Sequence, residues 1–125
     1  MITILTYDHP HRKTQDLLLR LAMRNDEQDI VVLATPWTER KGFVPLVAHR
    51  AFTPLNVDLL GFCSKLGARL VRVDNTSIGD ALSDLAPEIV LIGGAGILPR
   101  DVVNSHTVVN AHPGYLPYER GLDAL

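Results

Sequence analysis

Residues 2–34 read ITILTYDHPHRKTQDLLLRLAMRNDEQDIVVLA. Two short apolar runs, Ile2 to Tyr7 and Asp29 to Ala34, enclose a segment in which Leu17, Leu18, Leu21 and Ala22 recur at helical spacing. Apolar, β-branched runs of this length suit strands buried on both faces, as in a parallel sheet. A strand, a helix and a second strand therefore complete a first βαβ unit, and Pro36 punctuates its end.

The rest of the chain repeats the pattern. From Thr35 to Pro54 periodicity is lost, and prolines mix with Trp37, Arg40, Lys41, Phe43, His49 and Arg50, which describes a long connection. Asn56 is placed to cap a helix running through Leu66, with Leu59, Leu60, Phe62, Cys63 and Leu66 facing inward and Gly67 closing it. Arg69 to Val73 reads as a third strand. Ser77 with Asp80 three residues on has the form of a capping box before Ala81, Leu82 and Leu85, and Pro87 stops that helix. Glu88 to Ile92 makes a fourth strand, Pro99 to Ser105 a helical turn, and Thr107 to Ala111 a fifth strand. The expected fold is a single doubly wound α/β domain over residues 1–125, with an open, mostly parallel sheet of about five strands. Ligands of such sheets bind beyond the carboxyl ends of the strands, here after strands one, four and five.

Composition bounds the partners. The chain has 125 residues, 46% hydrophobic and 21% charged, in the range of ordinary globular domains. Its formal net charge of −2 gives no general attraction to nucleic acid or an anionic membrane. Cys63 is the only cysteine, so no intrachain disulfide forms, and the opening apolar run is too short for a signal peptide or a membrane span. A cytoplasmic protein is expected. Exposed sheet edges leave a homo-oligomer open.

Two stretches carry candidate chemistry. After the fourth strand, Gly93-Gly94-Ala95-Gly96-Ile97-Leu98-Pro99 lets backbone groups approach a flat ligand, although a flexible turn chosen for positive φ explains the glycines equally well. A dinucleotide fingerprint would follow the first strand, where Tyr7-Asp8-His9-Pro10 stands instead, so a standard NAD site is rejected. On the fifth strand Asn110 and His112 are two apart, which puts both side chains on one face. An amide donor and an imidazole can hold the negative charge that develops in acyl transfer, and the imidazole can relay a proton. Out of context, such a pair before Pro113-Gly114 is more often a polar strand end.

The composite of Pro87 to Ile92, the glycine loop, Asn110-Ala111-His112-Pro113, Leu116-Pro117 and Arg120-Gly121 resembles the folate-dependent formyltransferases. That family includes glycinamide ribonucleotide, methionyl-tRNA and sugar N-formyltransferases. The specific match covers about residues 87–125. The resemblance implies a Rossmann-like formyltransferase fold, incomplete here, with Asn110 and His112 as catalytic amide and imidazole. It places the folate ring against the backbone of Gly96, Ile97 and Leu98. It also implies 10-formyltetrahydrofolate as cosubstrate, no metal, and transfer of the formyl group to a small-molecule primary amine. The Gly114-Tyr115-Leu116-Pro117 and Arg120-Gly121-Leu122-Asp123 wording leans toward a nucleotide-linked amino sugar. Family members carry a further aspartate downstream of Leu125, and the chain reads as the amino-terminal portion of such a domain. Asp123 suits a helix N-terminus better than that role. A folate- or nucleotide-binding module without turnover is the alternative from another class, and a generic nucleotide-binding α/β domain ranks last.

Weaker candidates have plainer explanations. His9 and His11 flank Pro10 without a third ligand placed by local spacing, so they are taken as solvated loop residues. Arg40, Lys41, His49 and Arg50 suit a solvated basic loop better than a phosphate site, and Trp37 and Phe43 either stack on a base or pin the connection. Cys63, on an apolar helix face, is taken as packing.

Overall fold

The computed structural model describes residues 1–24, 28–38 and 55–111. Arg40, Lys41, Phe43, His49, Arg50, His112 and the segment that follows His112 lie outside the described residues.

The elements are β1 (Ile2–Tyr7), α1 (Arg12–Ala22), β2 (Ile30–Thr35), α2 (Leu59–Lys65), β3 (Arg69–Arg72), α3 (Ile78–Leu85), β4 (Ile89–Ile92), α4 (Arg100–Ser105) and β5 (Val108–Val109). The five strands form one sheet in the order β3-β2-β1-β4-β5 with every pairing parallel. The chain thus walks outward from β1 through β2 to β3, then crosses to the other side of β1 to lay down β4 and β5. That reversal makes the carboxyl ends of β1 and β4 a topological switch point, where a crevice opens in folds of this class.

β1 sits in the middle and is buried from Thr3 to Tyr7. Its alternate side chains feed two cores. Ile4 packs with Val32, Leu18 of α1, and Leu59 and Cys63 of α2 on one face. Leu5 packs with Leu33, Ile78 and Leu82 of α3, Val90, and Val102 of α4 on the other. Leu18 and Leu82 are fully buried, each contributing about 2 kcal/mol of apolar burial. Helices on both faces of a parallel sheet are the expected doubly wound architecture.

Four local expectations are corrected. α2 starts at Leu59, not beside Asn56, because Asp58 caps it: the Asp58 carboxylate accepts from the Gly61 amide at 2.6 Å. Leu60 is 55% exposed and does not face inward, since at 100° per residue it falls off the stripe set by Leu59, Cys63 and Leu66. Ser77 makes no side-chain cap; a 3-10 turn over Asn75–Ser77 leads into α3 and leaves Ser77 at φ −101°, ψ 8°, outside the extended conformation that aims a capping hydroxyl. The fifth strand is also shorter than expected, two residues in place of five, because the β4 ladder offers its last partner at Leu91↔Val109. Gly67 does close α2 in the left-handed region, at φ 69°.

α3 closes less comfortably. Ala86 takes the left-handed conformation at φ 46° immediately before Pro87, while its amide donates to the Leu82 carbonyl at 2.9 Å. An alanine there carries about 1 to 2 kcal/mol of Cβ strain that a glycine avoids. Ala86→Gly is expected to raise stability by about 0.5 to 1 kcal/mol, net of the greater freedom of the unfolded chain. Urea denaturation would show this as a higher midpoint at unchanged slope.

Candidate functional site

A cavity of about 790 Å³ opens at the carboxyl edge of the sheet. Tyr7 from the end of β1, Ile92 from β4, Ala95 to Leu98 from the following loop, and Val108 and Asn110 from β5 and its continuation line it, with Thr38 and Val103. The loop that follows β4 forms one wall, so Gly96, Ile97, Leu98 and Asn110 share one space.

The glycines of that loop have different causes. None of Gly93, Gly94 and Gly96 has positive φ; among the described glycines only Gly67 does. A Cβ on Gly93 would stand 2.4 Å from Thr14 Oγ1, so the end of β4 can pass beneath α1 only without a side chain. A Cβ on Gly94 would meet the His11 and Tyr7 rings at 3.1 Å. Gly96 meets nothing within 4 Å, and Ile97 beside it is fully exposed. The first two glycines serve packing, while the space at Gly96 is left to solvent or a ligand.

Asn110 follows β5 directly. Its Oδ1 accepts from Lys13 Nζ at 3.0 Å, and the same ammonium donates to the Ala111 carbonyl at 3.1 Å. Burial holds Lys13 below the ordinary lysine pKa. Because Asn110 has already left the ladder, strand alternation does not fix its relation to His112, which lies outside the described residues. Lys13 was not visible in the sequence as a site residue. The sign available was its place in the first turn after β1, at the edge where ligands bind.

Thr6 and Thr14 share a buried hydroxyl–hydroxyl hydrogen bond at 2.6 Å, and Thr14 Oγ1 lies 3.3 Å from His11 Nδ1. Tyr7, His9, His11 and Trp37 form an aromatic cluster, with Tyr7 and Trp37 meeting edge-on at 4.6 Å between centroids and His9 stacked on Tyr7 at 5.7 Å. His9 is thus packed on Tyr7 and its Nδ1 is buried, so it is not the solvated loop residue expected. Trp37 remains largely exposed while its edge contacts Tyr7 and His9. Among the described residues no three metal-ligating side chains converge, and no helix is long and apolar enough to cross a membrane. Cys63 is fully buried, and burial pushes its thiol up to about 11, which fits packing.

No family profile matches the sequence, and no curated protein matches it. Among solved structures, the chain is similar to the crystal structure of a phosphoribosylglycinamide formyltransferase from Anaplasma phagocytophilum, at a TM-score of 0.57 and 15% sequence identity over 98% of this chain. The match spans 54% of that protein, so this chain corresponds to about half its length. The likeness establishes the fold: a Rossmann-like α/β sheet of the formyltransferase kind.

Two measurements check the local account. Gly93→Ala is expected to lower stability by about 2 kcal/mol, and Gly96→Ala by less than about 0.5 kcal/mol, in parallel urea titrations. Burial, then the charges of His9 and Lys13, lower the His11 pKa from its ordinary 6.5. With the folded value depressed, the unfolded chain binds the proton first, so stability is full above about pH 6.5 and falls on acidification until the folded imidazole also titrates. Urea midpoints at about pH 7.5 and about pH 5.5 should diverge in the wild type and converge in His11→Gln.

Proposed function

We propose that this chain belongs to an enzyme that transfers a formyl group from 10-formyltetrahydrofolate to a primary amine. The observation that carries this is the meeting of the Asn110 carboxamide and the Gly96–Leu98 backbone around one cavity at the switch point of a formyltransferase-type sheet. Residues singled out from the sequence, 12 or more positions apart, line a common space.

The folate fits the residues present. Ile92, Leu98 and Val108 offer apolar walls for a flat ring, and the absence of any neighbour where a Gly96 side chain would stand leaves room beside the backbone. When bound, 10-formyltetrahydrofolate would supply the formyl carbon that the amine attacks. Asn110, with its oxygen turned to Lys13, keeps its Nδ2 donor at the opposite end of the carboxamide, available to negative charge developing on the formyl oxygen. His112, assigned by resemblance, would share that charge and accept the proton released by the amine. The acceptor we favour is a nucleotide-linked amino sugar, on the wording of residues 114–117 and 120–123. The structural neighbour is named for phosphoribosylglycinamide, which makes that amine the second acceptor to assay.

Calorimetry with a non-hydrolysable 10-formyltetrahydrofolate analogue, followed by release of tetrahydrofolate with each amine, tests the proposal. Binding by the wild type and its loss in Gly96→Val are expected; no binding by the folded wild type would sink it. Binding without transfer to any amine would identify a folate-binding module instead. With turnover established, Asn110→Ala and His112→Ala are expected to lower kcat about a hundred-fold while changing analogue affinity less than about three-fold. Equal losses in both would contradict a role in the reaction step.

A further inference from the structure

The residues that carry Asn110 are held in an unusual way. β5 ends at Val109, whose partner Leu91 closes the β4–β5 ladder, so Asn110 and Ala111 have no ladder partner on β4. The sheet ladder therefore does not fix Asn110 and Ala111. Lys13 does, by donating to the Asn110 side chain and to the Ala111 main chain at 3.0 and 3.1 Å.

Lys13 is well anchored for this task. The residues after it in α1, Thr14 and Gln15, are both buried. Thr14 is bonded to Thr6 of β1, and Gln15 exchanges two hydrogen bonds of 2.8 Å with the Leu55 backbone. The Lys13 stem thus starts from a fixed first turn of α1, beside the end of β4, and reaches the residues that follow β5. A carboxamide has a broad, nearly two-fold torsional preference, so its oxygen and nitrogen ends exchange easily unless a partner distinguishes them. An ammonium has donors and no acceptor, and it can bind only the oxygen end.

We propose that Lys13 is the positioning residue of the site, which clamps Asn110 and Ala111 after β5 and sets the Asn110 carboxamide with its NH2 end toward the substrate. This rests on the formyl-transfer proposal for the value of the orientation, and on the geometry alone for the clamp. Lys13 acts through Asn110 and is not itself a catalytic residue.

The test uses the full chain, 15N-labelled, with Lys13→Met, which keeps the stem and removes the donors, and Lys13→Arg, which keeps donors. The Asn110 side-chain NH2 signals are assigned by their loss in Asn110→Ala. In Lys13→Met they are expected to move to the position of an unstructured asparagine while the backbone amides of β1 and β4 stay in place, and Lys13→Arg is expected to hold them near wild type. In a turning-over enzyme, Lys13→Met should lower kcat about ten-fold or more with the folate KM within about two-fold, and Lys13→Arg should recover part of that loss. Unmoved NH2 signals in Lys13→Met, or equal kinetic damage in both variants, would overturn the role. A wild type that transfers no formyl group counts against the proposed function alone, and the NH2 signals then decide the clamp.

Discussion

The arrangement of the whole chain depends on β1 being hydrogen-bonded along both edges and covered on both faces. A strand in that position can tolerate almost no exposed polar atom, and five of its six residues are buried. The consequences spread outward. Ile4 and Leu5 must serve opposite cores, so α1 and α2 go to one face and α3 and α4 to the other. Thr6, buried against α1, needs a partner for its hydroxyl and finds it in Thr14. Thr14 in turn occupies the space where a side chain on Gly93 would stand, and this decides how β4 ends and where the cavity wall begins.

Much of this frame was legible in the sequence. β1 runs from Ile2 to Tyr7 as its apolar, β-branched composition predicts, and each remaining strand and helix falls where periodicity and punctuation place it, within a few residues. Errors arose where a side-chain contact outweighed local pattern. Asp58 captured the start of α2 because its carboxylate reached the Gly61 amide, and Asn56 lost a role that residue type alone suggested. The fifth strand ended early because strand length depends on a neighbour's register, which no local window contains. At the candidate site the sequence brought forward Asn110, Gly96, Ile97 and Leu98, but Lys13 is 97 positions from Asn110, and a long-range hydrogen bond leaves no periodic signature.

The glycine loop shows how one composition can hide several physical causes. Its three glycines look alike in sequence, and a turn with positive φ would explain them all. In the folded chain none needs that conformation. Gly93 answers to Thr14, Gly94 to His11 and Tyr7, and Gly96 to nothing in the described protein. A dinucleotide-binding sheet places its glycines after β1 to admit a pyrophosphate. Here they follow β4, while the corresponding turn after β1 is filled with aromatic rings. The same sheet order thus supports a crevice of different shape and polarity.

Cys63 has a consequence for how the molecule can be observed. It is the only thiol, it has no accessible surface, and its burial keeps it protonated near neutral pH. It lies where α2 closes against Val32 and Leu18, so a water-soluble alkylating reagent can reach it only when that face of the sheet opens. The rate of labelling is then a native-state clock for that opening, built into the chain and needing no introduced probe. Run with and without a ligand at the carboxyl edge of the sheet, the clock would reveal whether filling the crevice tightens that core.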